Sequence, residues 1–272
     1  MSMFFAPPML NSPRGAGGGS DPAAEVQAIL SGTTGWAVDP SITSTVFQDA
    51  AGTTPVTADG QSIGRINSLT GYGTTVFDWQ DASLRPVWRT RSNEFDGVDD
   101  LLSKTTGVYA QAMPAMSLTA RAVCDTLAAA RAIFAFGTDI TPNARYSLRV
   151  NADGSVTVQG RRLNADGLVT VTSATGLITA TVPFTLQTVF DYAGTGNMEI
   201  FLNGASIATG SLGGVAGNSE NTDTARVRWG LNPTNTLTDY MDGKIGRAVF
   251  ARAALNSTQL ASCKNWVEAI AL

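Results

Sequence analysis

Histidine is absent from the 272 residues. That removes every catalytic triad, general base and metal site built on imidazole. No G-x-S-x-G elbow and no glycine-rich phosphate loop is present. Carboxylates are among the proton-moving groups that remain, and four of them gather in Asn93–Ser103, N-E-F-D-G-V-D-D-L-L-S. Retaining glycoside hydrolysis needs two carboxylates about 5–5.5 Å apart. Asp96 and Asp99 stand three apart across the tight-turn pair Asp96-Gly97. Asp99 and Asp100 are adjacent, so they point to opposite sides of a strand. The segment reads as a strand end, a turn and a new strand start, with a structural role rather than a catalytic one.

Binding chemistry is better represented. A saccharide has an apolar face and a rim of hydroxyls, so its recognition asks for an aromatic platform beside polar side chains. Two groups fit that description: Asn143 and Arg145 with Tyr146, and Asn232 and Asn235 with Trp229. The opposing reading puts Trp229 in the core, in phase with Val227; for Tyr146 the two readings balance. Oxygen-rich loops suit Ca²⁺. Asn218, Asn221 and Asp223 share one such loop, and Asp99 and Asp100 lie in the acidic turn. The alternative is that these short polar side chains close turns and cap strands.

The elements that must position these residues are mostly strands. Threonine, valine and alanine are abundant, 28 glycines are scattered, and charged residues make up 15%. Leu118, Ala120, Ala122 and Cys124 alternate on one face of a strand over 117–124, which makes Cys124 a buried thiol. Further strands are expected over 132–136, 146–150, 156–159, 168–173, 184–192, 198–202, 205–209, 226–229 and 246–251. Asn151–Gly154 reads as a hairpin loop, and Asn203-Gly204 is the strongest two-residue hairpin signal in the chain. Upstream, Asp21-Pro22 marks the start of a short helix. Short strands are expected near 45–47, 62–66 and 75–79. Asn256 and Gln259 form a capping box ahead of a C-terminal helix with Leu260, Cys263, Val267 and Ile270 on one stripe. Phe4, Phe5, Met9 and Leu10 precede the flexible run Gly15–Ser20, as in an extended arm that docks on a partner; the plainer reading is a disordered tail.

Composition sets outer bounds. Eighteen basic residues against 22 acidic ones give a net charge of −4 with no phosphate-tracking basic cluster, so nucleic acid is not an expected partner. No stretch approaches the length of a membrane span, and the first ten residues lack the basic start of a signal peptide. The two cysteines, Cys124 and Cys263, have no metal spacing, and a disulfide between them is not expected.

The string Phe95–Leu102, F-D-G-V-D-D-L-L, resembles the entry motif of the concanavalin A-like, laminin-G-like jelly rolls. Asp242–Phe250, D-G-K-I-G-R-A-V-F, with Ala254–Ser257 resembles that family's closing strands and short terminal helix. The preceding order, Phe47–Ile63, then Asp81–Pro86, then the entry motif, is similar to phage and prophage virion proteins carrying this domain. Their histidine-containing leader is replaced here by Leu69–Gly73. The resemblance implies an all-β, concanavalin A-like two-sheet antiparallel β-sandwich (jelly roll) with an extended N-terminal arm and a short C-terminal helix. The implied organisation is an arm and linker over 1–20, a helix and turn-rich leader over 21–90, and the jelly roll over 91–272. The implied function is a virion structural protein, a capsid decoration, head fibre or tail component. Its arm would bind other virion proteins and its jelly roll would present a surface for host glycan adhesion, in many copies or as a homo-oligomer. A ligand-free decoration or fibre subunit is the alternative, and a polysaccharide-degrading glycosidase the third. The family's glycosidase pattern E-x-D-x-x-E does not begin at any of the five glutamates, so no enzyme is expected. No cofactor is required by this reading; Ca²⁺ is the one the family brings.

Overall fold

The computed structural model describes residues 21–71, 75–79, 81–104, 112–137, 144–163, 165–213, 216–220, 226–231 and 239–272. The arm residues Phe4, Phe5, Met9 and Leu10 lie outside this set.

Helix α1 (Pro22–Gly32) begins where Asp21 accepts the Ala23 N–H and proline occupies the first helical position. Strands β1 (Gly35–Val38), β2 (Val46–Phe47), β3 (Arg65–Asn67), β4 (Thr70–Gly71), β5 (Thr75–Asp78) and β6 (Val87–Arg89) make up the leader. They are followed by β7 (Ser92–Asp96), β8 (Leu102–Lys104), β9 (Met116–Cys124), β10 (Arg131–Gly137), β11 (Ala144–Val150) and β12 (Val156–Gly160). The chain then forms β13 (Val169–Thr172), β14 (Phe184–Phe190), β15 (Asn197–Leu202), β16 (Ala205–Ser211), β17 (Arg226–Trp229), β18 (Asp242–Ala251) and helix α2 (Ser257–Glu268).

Two antiparallel sheets stack face to face. The first runs β16-β15-β14-β9-β18-β1-β4, with β7 joining β18 and β6 joining β7. The second runs β13-β12-β11-β10-β17-β8, and β2-β3-β5 form a small third sheet. The chain is therefore an all-β two-sheet sandwich of the concanavalin A-like type with a short C-terminal helix. Strand alternation builds it: Leu118, Ala120, Ala122 and Cys124 face inward from β9, and Tyr146, Leu148 and Val150 face them from β11. The leader shares this core. Trp36 of β1 stacks on Phe250 of β18 with ring centroids 5.6 Å apart, and Phe77 of β5 lies 4.9 Å from Trp229. Asn203 and Gly204 both take positive φ, 52° and 89°, which joins β15 to β16 through a tight hairpin whose twist matches its strands.

The outer face of the first sheet is covered. Ala37, Val249 and Ala251 pack against Val26, Ile29 and Leu30 of α1 and Leu260, Cys263, Trp266 and Val267 of α2. The Asn256 side chain accepts the Gln259 N–H, and Gln259 accepts the Asn256 N–H, both at 3.0 Å, closing the capping box. Cys124 and Cys263 are both buried free thiols.

Candidate functional site

The outer face of the second sheet has a different composition. Because Phe134, Tyr146, Leu148, Val156, Val158, Val227 and Trp229 point inward, their neighbours point out. One transverse row, set by strand register, reads Ser103, Arg228, Ala135, Ser147, Gln159, Thr170, of which the first four are buried and the last two open. A second row carries Arg149, Thr157 and Thr172. The hydroxyls and amides knit laterally: Thr157 to Thr172 at 2.9 Å, Gln159 Nε2 to Thr170 at 3.0 Å, and Asn151 Nδ2 to Thr157 at 2.7 Å. Arg149 donates to Asp239 at 3.1 Å and keeps about a quarter of its side chain exposed (26%). Arg228 is buried, and desolvation pulls its guanidinium down to about 10, so it is still cationic at neutral pH.

Two ends of the sandwich flank this face. At one end, Asp96 and Gly97 turn the chain, with Gly97 at φ +76° and no room for a side chain, since a Cβ would meet Asp242 Cβ at 2.7 Å. Asp96 Oδ1 accepts the N–H groups of Val98 and Asp99, and Asp100 Oδ2 accepts the Asp96 N–H at 2.9 Å. These bonds make the motif a turn lock. Desolvation first, and the charge of Asp96 second, push the Asp100 carboxyl up to about 6. Beside it Arg131 pairs with Asp242 at 3.1 Å and donates to the Tyr240 carbonyl at 3.3 Å. Carboxylate oxygens of Asp96, Asp99 and Asp100 lie within 4.8 Å of one another. Their donor chemistry fits Ca²⁺, which takes six to eight oxygens, but three carboxylates supply only part of such a shell.

The other end is where β8, β10, β12 and β14 finish and β11, β15 and β17 begin. The turn after β14 is built on Asp191, whose carboxylate accepts the Gly194 and Thr195 N–H groups and the Thr195 hydroxyl. These bonds draw the Asp191 carboxyl below its usual range. A cleft of about 120 Å³ opens between this turn and Ser211–Gly213, with Arg162 in its wall.

The structure redistributes the expected site residues. Tyr146 and Trp229 are fully buried. Tyr146 bonds Thr188 at 2.7 Å across the core and stacks on Phe136, and Trp229 packs edge-on to Trp36. Neither ring can meet a sugar from solvent, so the expected aromatic platforms are corrected: both are core, by the same alternation that turns Arg228 outward. Asn143, Asn232, Asn235, Asn221 and Asp223 lie outside the described residues, as does the Arg145 side chain. Asn218 is exposed. It sits by the β17 entry, whereas Asp99 and Asp100 precede β8, so the two calcium candidates belong to opposite ends of the sandwich. Sequence reasoning passed over Arg149, Arg228 and the threonine ladder. The signal was present in R-V-R-W: with Val227 and Trp229 inward, Arg228 had to face out.

No protein-family model and no curated protein matches the sequence. Solved structures do share the architecture. The chain is similar to the Ruminococcus gnavus IT-sialidase CBM40 bound to alpha2,6 sialyllactose, at TM-score 0.52 and 16% identity, covering 64% of this chain and 96% of that one. The same module bound to alpha2,3 sialyllactose gives TM-score 0.50 and 18% identity over 59% of this chain and 85% of that one. A K499G mutant of the NanB sialidase from Streptococcus pneumoniae gives TM-score 0.50 at 12% identity, over 63% of this chain but 27% of that enzyme. At these identities the likeness is one of fold.

Proposed function

We propose that this chain is a non-catalytic saccharide-binding sandwich, and that it recognises a carboxylated saccharide on the outer face of its second sheet. The observation that carries the reading is the composition of that face. One guanidinium, Arg149, stands partly exposed beside the open hydroxyl and amide groups of Gln159, Thr170 and Thr172, while Arg228 lies buried behind them, and among the described residues no helix packs there. Guanidinium forks match carboxylate geometry, and threonine and glutamine side chains meet sugar hydroxyls. The Ruminococcus domains of this fold are bound to sialyllactose, a carboxylated sugar, and that lends the reading support. A flat polar face gives weak single-site affinity, in the millimolar range or on the order of −4 kcal/mol. Display in many copies converts such contacts into useful avidity.

The setting we propose for that display is a phage or prophage virion surface, with the N-terminal segment docking on other virion proteins. Support for it comes from the order of sequence motifs around Phe95–Leu102. As a proposal, calcium is assigned to the Asp96–Asp100 turn rather than to Asn218.

The test is titration of the chain, as monomer and coupled to beads, with 3′-sialyllactose, a uronic-acid polysaccharide and lactose. Binding of the acidic ligands, absent in Arg149→Ala, supports the reading. Absence of binding in both forms would leave the ligand-free structural subunit as the better description. Immunogold labelling of intact particles tests the virion setting separately.

A further inference from the structure

We propose that the cleft between the Asp191–Gly196 turn and Ser211–Gly213 with Ala216 is a second ligand site, one that seats the edge of a single carboxylated sugar ring with its carboxylate on Arg162. It does not rest on the sheet-face reading, because it shares no residue with that face.

Most polar groups in the cleft are already satisfied. Asp191 is saturated by Gly194, Thr195 N–H and the Thr195 hydroxyl. Thr195 Oγ1 also accepts the Asn197 N–H at 3.3 Å, and Ser211 Oγ accepts the Gly213 N–H at 3.2 Å. Arg162 is different. Its Nη2 lies 3.7 Å from Asp166, beyond hydrogen-bond distance, and its buried Nε has no partner among the described residues. Asp166 meanwhile accepts the Leu163 N–H at 2.9 Å, which holds the carboxylate back toward its own turn. A guanidinium 15% exposed in a concave wall, held only by a loose ion pair with Asp166, can turn its outer nitrogens to an incoming carboxylate.

The walls select the rest of the ligand. Gly194, Gly196 and Gly213 line the cleft and present backbone rather than side chains. A ring can therefore approach the backbone closely and donate to its carbonyls, since the three glycine N–H groups are already bonded to Asp191 and Ser211. The walls are also fixed in place. Leu212 N–H donates to Gly196 O at 2.7 Å, Gly217 N–H to Tyr192 O at 3.1 Å, and Glu220 N–H to Arg162 O at 2.9 Å. A site held this way loses little freedom on binding. Its volume of about 120 Å³ suits the edge of one ring.

The experiment is an amide ¹H–¹⁵N titration of the full chain with D-glucuronate, and with D-glucose as the uncharged control. Glucuronate is expected to shift the Gly194, Gly196 and Gly213 amides with millimolar midpoint, and glucose is not. Arg162→Ala should weaken the midpoint at least tenfold. Should that variant lose spectral dispersion, Ala216→Trp, placed on the exposed rim, blocks the mouth without altering the core and should abolish the shifts. Arg149→Ala should leave them unchanged. The proposal is overturned if glucuronate leaves these amides unmoved, if glucose moves them equally, or if the shifts survive both cleft variants.

Discussion

The two outer faces of the sandwich are made by the same alternation and end in opposite states. On the first sheet, polar residues that point outward are sealed under helix α2. Gln187 donates to Thr119 at 3.0 Å and to the Leu260 carbonyl at 2.8 Å, and the Thr185 hydroxyl donates to Glu268 at 2.7 Å. Arg247 is clamped between Asp39 at 2.6 Å and the Trp266 ring, whose centroid is 4.7 Å away. On the second sheet, Thr157 bonds sideways to Thr172 and Gln159 to Thr170, and among the described residues no helix packs over the exposed Thr170 and Thr172. The lesson is that polar residues on a strand mean different things according to what covers them. Covered, they fix the position of a helix; uncovered, they stay open to solvent.

Substitutions on the two faces should therefore separate stability from binding. The largest effect is expected from Asp39→Ala. It leaves Arg247 charged and buried beneath α2, where breaking such a pair costs about 3–5 kcal/mol, read as a lower denaturant midpoint. The next concerns the rim between the faces. Asp100 has its carboxyl raised from an ordinary 3.8 to about 6 by burial, so the folded state prefers the proton. Its contribution to stability is thus greatest below pH 4, and declines as pH rises through 6, by at most about 3 kcal/mol. Asp100→Asn keeps an acceptor for the Asp96 N–H and removes the penalty. It should raise the melting temperature at pH 7 and flatten the pH profile between 4 and 6. Calcium should raise the wild-type melting temperature more than that of Asp100→Asn if the turn holds the ion.

A smaller effect is expected at the start of α2. Asn256→Ala opens the capping box and should cost about 1 kcal/mol with saccharide binding unchanged. The smallest change in stability is expected from Arg149→Ala, within about 1 kcal/mol for a partly exposed pair. It should nonetheless lower affinity for an acidic saccharide about tenfold or more. An Arg149→Ala protein that melts far below wild type, or an Asp39→Ala protein that does not, would erase the distinction between the faces.

Much of the fold was legible because its signals are local. The β9 alternation, the Asn203-Gly204 hairpin and the Asn256–Gln259 capping box each depend on residues within one element, and each is present. The docking of β1 on β18 was not legible, since it joins residues some two hundred positions apart. The candidate site failed for a related reason. Tyr146 and Trp229 were weighed by the loops beside them, whereas their fate was set by strand phase and by Phe136, Thr188 and Trp36 from distant segments. Arg162 carried no signal at all, because its cleft is assembled from three separate turns.

The place of β18 has a consequence in time. Its residues pair with β1, β7 and β9, so the first sheet is held together by one of the last strands to be made. A growing chain that has not reached Asp242 has only the short β4 as a partner for Gly35–Val38 and only one side of β9 paired. Contacts of such sequence separation are slow to form, because loop closure precedes any gain from burial. Folding should therefore be a late, nearly all-or-none event that follows synthesis. Chains interrupted before β18 should appear in cells as chaperone clients and protease substrates rather than as half-built sandwiches.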